Sequence, residues 1–207
     1  MTKKAFFLQV QNKLNKAFLP FKPPIAQGKM VRAQLCFFWS KVFKIKPSKA
    51  VLYALIAEGI HLASLIVDDI LDGHKERRGK PTLAFLMGEK KSINFSFLLL
   101  SFILKKSQKL SFLQRRVIDH TLKQMALGEL KNEELKTHAY QKICNHKTAS
   151  LFCLTGLLPV LENQNNKKHL YITTRFLKSL GKIYQYQDDL KDKDTPLSLR
   201  EIENLLK

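Results

Sequence analysis

The sequence predicts an all-α protein folded as a single domain, and three observations lead there. Glycine and proline are scarce, at 8 and 7 of 207 residues, so few points force the chain to turn. Residues 50–67 and 110–134 repeat apolar side chains at spacings of three and four, with no strand-like alternation. Hydrophobic residues make up 45% of the chain, enough for one substantial core at ordinary domain length.

Taken in order, the first residues mimic the start of an export signal, but Gln9, Gln11 and Asn12 interrupt the apolar run too early for one. Breaks are expected at 20–28, around Pro47, at 73–81, near Gly88, at 105–111, at 159–168 and at 195–196, which divides the chain into seven or eight helices. Ser48 is the expected N-cap of the helix that carries Glu58, His61 and the first acidic motif. Residues 93–104 form the greasiest stretch. They include Asn94, Ser96 and Ser101 and are too few to cross a bilayer, so they read as a buried core helix, and no transmembrane segment is expected. Ser198 and Glu201 have the spacing of a capping box, which starts a last helix at about Leu199.

Lys and Arg number 36 against 17 acidic residues, a formal charge of +19. That balance points to a polyanionic partner, whether nucleic acid, anionic lipid or a phosphorylated substrate. The basic residues are spread as single lysines and short pairs, without a basic tail or an arginine-rich block, so a nucleic-acid partner is not expected and most of them read as solvated surface. Cys36, Cys144 and Cys153 are odd in number and lack Cys-x-x-Cys spacing, which suggests reduced thiols and a cytoplasmic protein.

The acidic residues are concentrated. Six of the eight aspartates lie in two pentapeptides, Asp68-Asp69-Ile70-Leu71-Asp72 and Asp188-Asp189-Leu190-Lys191-Asp192. Asp68 and Asp72, four apart on a helix, share a face. Carboxylates crowded at a helix C-terminus oppose one another and the helix dipole unless a cation is supplied. Hard oxygen ligands of this kind suit magnesium bridging to phosphate. Gly181, Gln185, Asp188 and Asp192 fall on one stripe of a second helix. Basic groups capable of gripping phosphate stand nearby in sequence: Lys29 and Arg32, three apart, and Arg77 with Arg78, just beyond the first motif. Read alone, each such group is more often plain surface than a site. Two acidic motifs together with these cations describe a place for two diphosphates.

From Gly28 to Asp192 the chain resembles the trans-isoprenyl diphosphate (polyprenyl) synthases. The match comprises Gly28-Lys29-x-x-Arg32, then His61-x-Ala63-Ser64-Leu65-x-x-Asp68-Asp69-x-x-Asp72-x-x-x-x-Arg77-Arg78-Gly79-x-Pro81-Thr82, then Lys147-Thr148, then Gly181-x-x-Tyr184-Gln185-x-x-Asp188-Asp189-x-x-Asp192. The resemblance implies a helical bundle around a central cavity that joins isopentenyl diphosphate to an allylic diphosphate with Mg2+ as cofactor, commonly as a homodimer. By it, Lys29, Arg32, His61 and Arg78 would hold isopentenyl diphosphate, and Arg77, Lys147, Thr148 and Gln185 would contact the allylic diphosphate. Asp68, Asp72 and Asp188 would be the principal metal ligands, supported by Asp69, Asp189 and Asp192.

Small residues before the first motif, Ala63 and Ser64, make the pattern look like the long-chain type, with Phe85, Phe95 or Phe97 as alternative floors for the growing tail. Three departures stand out. Met30 and Ala33 replace the family's usual Arg and Pro. Phe97 replaces the Asp of a Gly-Asp pair. The chain also stops at Lys207, without the family's usual C-terminal helices, which opens the alternative of a noncatalytic diphosphate-binding relative serving as a partner subunit.

Overall fold

A computed structural model describes residues 1–18, 28–77, 79–130, 148–163 and 167–192, with the side chains of 163 and 188–192 left out. Arg78, Lys147, the break at 195–196 and the helix expected at Leu199 lie outside the described residues. Those described form eight helices and a two-residue-strand hairpin. Their contacts cluster into two compact units, residues 1–111 and 112–207.

In the first unit, α1 (Lys3–Ala17), α2 (Val31–Val42) and α5 (Glu89–Ser107) pack around α3 (Pro47–Leu71). Through its middle α3 is buried on every side, at Val51, Tyr53, Leu55, Ile56 and Ile60 among others. It is therefore long and apolar enough to cross a membrane by length and composition, but 67% of that apolar window is buried within the protein. Its character is that of a core helix. α3 begins at Pro47, whose missing N–H costs nothing in the first turn. Ser48, the expected cap, thus falls inside the helix, and Lys46 holds the cap position.

Helix directions follow from particular contacts. Gly59 faces Ile103 and the Ala63 carbonyl accepts from Ser96 Oγ at 3.2 Å, so α5 runs antiparallel to α3. Ala33 meets Glu58 while Ser40 and Ala50 border one dent, so α2 runs antiparallel as well. Gly59 permits the α3–α5 crossing, since a Cβ there would stand 2.4 Å from Ile103 Cδ1.

After α3 the chain turns through β1 (Glu76–Arg77) and β2 (Lys80–Pro81), paired Glu76 to Pro81 and Arg77 to Lys80, with Gly79 at φ +71 in the turn. Thr82 then caps α4 (Leu83–Met87). Its Oγ1 accepts from Phe85 N at 3.2 Å and donates to the His74 carbonyl at 2.8 Å, tying the hairpin to the helix end.

The second unit contains α6 (Phe112–Leu130), α7 (Ser150–Asn163) and α8 (Lys167–Asp192), with α7 packed on both others. Gln114 Nε2 donates to the Leu158 carbonyl at 2.8 Å. Pro159 is expected to begin a break, yet it lies inside α7. Burial of Leu151, Phe152, Leu154, Leu158 and Val160 outweighs the roughly 3 kcal/mol that an interior proline costs.

Candidate functional site

The first unit holds a cavity of about 240 Å³ walled by α1, residues 28–32, the middle of α3 and the hairpin. Lys29, Arg32, His61, Arg77 and Lys80 line it, with Glu58 as the one carboxylate among the described lining residues and Leu14, Phe18, Leu62 and Leu65 as apolar wall. Four of the basic side chains that the motifs single out, distant in sequence, thus meet at one concavity. Lys80 joins them from the same turn as Arg77.

Local structure sets their positions. Met30 is the N-cap of α2, in the left-handed region at φ 51, ψ 43, and offers no side-chain cap. That sharp turn carries the chain from the exposed Lys29 into the buried Arg32. The cap comes instead from α3: Glu58 Oε1 accepts from Ala33 N at 2.8 Å. Gln34 Nε2 donates to the Lys29 carbonyl at 2.9 Å and steadies the turn from the other side. Burial pushes the Glu58 carboxyl up, while the Ala33 N–H, the Arg32 guanidinium and the Arg32 N–H pull it back. Glu58 is absent from the site residues read off the sequence. The available signal is a solitary acid in an otherwise apolar stretch, 50–67.

The first acidic motif divides between two sides of the helix end. Asp72 is the C-cap and is exposed, with His74 Nδ1 3.8 Å from its Oδ2. Asp68, one turn earlier, is half-buried. Asp69 points the other way, is 8% exposed, and accepts from Arg77 Nε at 2.7 Å. The His74 N–H also donates to the Asp69 carbonyl at 2.9 Å, so the turn that presents Arg77 is anchored twice at Asp69. A helix advances about 100° per residue, which separates Asp69 from the Asp68–Asp72 side.

Among the described residues no group of three or more His, Cys, Asp or Glu could hold a metal alone. Asp68 and Asp72 nevertheless fit magnesium, which is held in many phosphate sites by one or two carboxylates and completes its octahedron with phosphate oxygens and water.

In the second unit, Thr148 is buried just before α7 and its Oγ1 donates to Gln185 Oε1 on α8, which fixes the orientation of that amide. Gly181 lets α8 approach closely there, because a Cβ would lie 2.7 Å from Ala149 Cα. Tyr184 packs on Phe152 with ring centroids 5.3 Å apart. Asp188, Asp189 and Asp192 occupy the last turns of α8, their side chains outside the description. Cys153 is buried, and burial raises its thiol to about 11, so it is unreactive.

The candidate length-setting residues also separate. Ala63 is buried and Ser64 Oγ donates to the His61 carbonyl at 2.9 Å. Phe95 is buried edge-on against Phe18, centroids 6.0 Å apart, whereas Phe85 and Phe97 are exposed.

Residues 19–196 match the family model described as polyprenyl synthetase. The chain is 29% identical over 189 residues to geranylgeranyl pyrophosphate synthase 6, mitochondrial, of Arabidopsis thaliana, a match covering 80% of this chain and 56% of that protein. In fold it is similar to a decaprenyl diphosphate synthase from Rhodobacter capsulatus (TM-score 0.83, 20% identity, covering 91% of this chain and 63% of that one). It is likewise similar to a polyprenyl synthase from Caulobacter crescentus solved with calcium and isoprenyl diphosphate (TM-score 0.81, 20% identity, covering 90% and 62%). The chain spans about half the length of the Arabidopsis protein and under two thirds of either solved structure.

Proposed function

The chain belongs to the polyprenyl synthetase family, and we propose that it joins isopentenyl diphosphate head-to-tail to an allylic diphosphate, giving a longer trans-polyprenyl diphosphate. The observation that carries this reading is the cationic cavity of Lys29, Arg32, His61, Arg77 and Lys80, set beside a helix that ends in Asp68 and Asp72. Five basic groups around one carboxylate form a receptor for a small, highly charged anion.

Lys29, Arg32, His61 and Arg78 hold isopentenyl diphosphate, and Arg77, Lys147, Thr148 and Gln185 attend the allylic diphosphate. Arg77, oriented by Asp69, stabilises the negative charge that gathers on the leaving group as the allylic carbon–oxygen bond breaks. The apolar wall of Leu14, Phe18, Leu62 and Leu65 keeps water from the carbocation that remains. The isopentenyl double bond attacks that cation, and the proton lost afterwards passes to the departing diphosphate, so no protein base is needed. Asp68, Asp72 and Asp188, with Asp189 and Asp192 in support and Asp69 acting through Arg77, would hold magnesium, which would neutralise charge on the diphosphates. The calcium in the Caulobacter relative supports a divalent ion in this role.

Small residues at 63 and 64, with Phe95 held against Phe18 and Phe85 and Phe97 turned outward, favour a long product. A homodimer belongs to the same reading. Ile93, Phe97 and Leu104, all exposed on one stripe of α5, supply an apolar face for it. Cys36 and Cys153 are buried free thiols, in keeping with the cytoplasm.

The test is incubation of purified protein with magnesium, labelled isopentenyl diphosphate and farnesyl diphosphate, followed by chromatography of the products. Chain-extended diphosphates that vanish on chelation are expected. Absence of extension with every allylic primer, from a folded protein, contradicts the reading.

A further inference from the structure

The first 57 residues contain eleven lysines and arginines and no acidic residue at all. Of those among the described residues, Lys29 and Arg32 line the cavity described above. The fold gathers six of the others at one end of the first unit. Met1, Phe6, Phe37, Lys41, Ile45 and Pro47 border a single dent of about 40 Å³, which brings the start of α1, the end of α2 and the start of α3 together. Lys3, Lys4, Lys41, Lys44, Lys46 and Lys49, all exposed, belong to these three segments.

An aromatic cluster ties the arrangement. Lys3 Nζ lies 5.8 Å from the Phe7 ring centre and Lys41 Nζ 5.7 Å from that of Phe37, and those two rings are 6.4 Å apart. Beside the lysines, Phe38 and Val42 share one face of α2 and are 55% and 50% exposed. Asp68, Asp69 and Asp72 lie at the opposite end of α3, about 30 Å away at 1.5 Å per residue. The acids of the first motif therefore do not offset this charge, which is screened over about 10 Å in ordinary salt.

We propose that this end of the protein docks on an anionic lipid surface, with Phe38 and Val42 entering the headgroup region while the lysines face the lipid phosphates. Two features favour a bilayer over nucleic acid. The charges are all lysines, point charges suited to a fluid array of headgroups, with no arginine fork for base or backbone recognition. The exposed Phe38–Val42 pair is an apolar wedge that a phosphate backbone would leave in water and an interface would bury. The docking face is distinct from the diphosphate cavity, so this inference stands or falls separately from the proposed activity.

The experiment is flotation of the full chain with vesicles of phosphatidylcholine alone and of phosphatidylcholine mixed with phosphatidylglycerol, over a salt series, beside a duplex-DNA binding curve. Binding only to the phosphatidylglycerol vesicles, lost as salt rises, is expected. Each lysine near the surface contributes about fivefold to partition, so Lys41→Gln, Lys44→Gln and Lys46→Gln together are expected to weaken it about a hundredfold. Phe38→Ser alone is expected to lower vesicle partition several-fold without altering DNA binding. Both variants retain wild-type circular dichroism and prenyl-transfer rates if the face is only a docking surface. Failure of the wild type to float with anionic vesicles at low salt overturns the proposal, as does equal partition of the triple variant. Tighter binding to DNA than to vesicles, indifferent to Phe38→Ser, assigns the face to nucleic acid and overturns it too.

Discussion

Asp69 shows how one residue can belong to an acidic motif in sequence and to a positioning contact in space. Its carboxylate is buried against Arg77 Nε at 2.7 Å, leaving Asp68 and Asp72 on the other side of the helix end. Helix phase alone separates Asp69 from its neighbours, but its partner lies in the hairpin beyond, and no spacing rule names it. Arg77→Ala is expected to lower kcat about a hundredfold, the usual cost of removing one preorganised donor at a developing negative charge. Asp69→Asn keeps an acceptor for Nε and is expected to lower kcat about tenfold with substrate KM little changed, measured by steady-state prenyl transfer. Glu58 was equally hard to anticipate, because its partner, the start of α2, is 25 residues away in sequence. Its carboxyl is raised in the folded state, chiefly by burial. The folded protein therefore holds that proton more tightly than the unfolded chain, and the group's contribution is fullest below the ordinary carboxyl value and is lost as pH rises through the raised one. Glu58→Gln escapes that loss while still accepting from Ala33. Thermal melts across a pH series are expected to show the variant gaining on wild type as pH rises from the acid side, and a constant gap contradicts the assignment.

Among the helices, two glycines set close crossings, and their substitution separates a soft contact from a hard one. Gly59→Ala drives a methyl to 2.4 Å from Ile103 Cδ1, the end of a side chain that can rotate away, and is expected to cost about 1–2 kcal/mol, partly restored by Ile103→Val. Gly181→Ala meets the Ala149 backbone at 2.7 Å, so α8 itself must shift. A cost of about 3 kcal/mol is expected in chemical denaturation, along with reduced activity, because the Thr148–Gln185 contact adjoins the strain. The helical class and most helix limits were readable from apolar spacing, since α3 buries the residues that spacing marks. Residues 93–104, expected as a buried core helix, bury only Phe95, Ser96, Leu99 and Ile103 and leave Ile93, Phe97, Leu98 and Leu104 exposed. Local signals failed where long-range burial outweighed them. Pro159 stays within α7 because the helix around it is packed on α6 and α8, and Ser48 loses the cap because Pro47 suits the first turn better. The two-residue hairpin after α3 is too short for any periodicity to reveal.

Across the whole chain, the motifs identified the family and four of the five cations among the described residues that line the cavity, because those motifs set basic side chains at fixed spacings. The contacts cluster into units 1–111 and 112–207, and the first of these carries 20 of the 36 basic residues but only 6 of the 17 acidic ones. The charge asymmetry was present in the sequence throughout, but only the packing of α1, α2 and α3 turns scattered lysines into one face. What everything rests on is that the cavity between α1, α3 and the hairpin receives the diphosphate of the isopentenyl substrate. Calorimetric titration of isopentenyl diphosphate into wild type, Lys29→Ala and Lys49→Ala examines it without requiring turnover. Loss of one charge-assisted phosphate contact is expected to weaken binding about tenfold in Lys29→Ala, with Lys49→Ala, at the far lysine face, unchanged. Equal affinity in all three proteins, or no heat of binding in any, would contradict it.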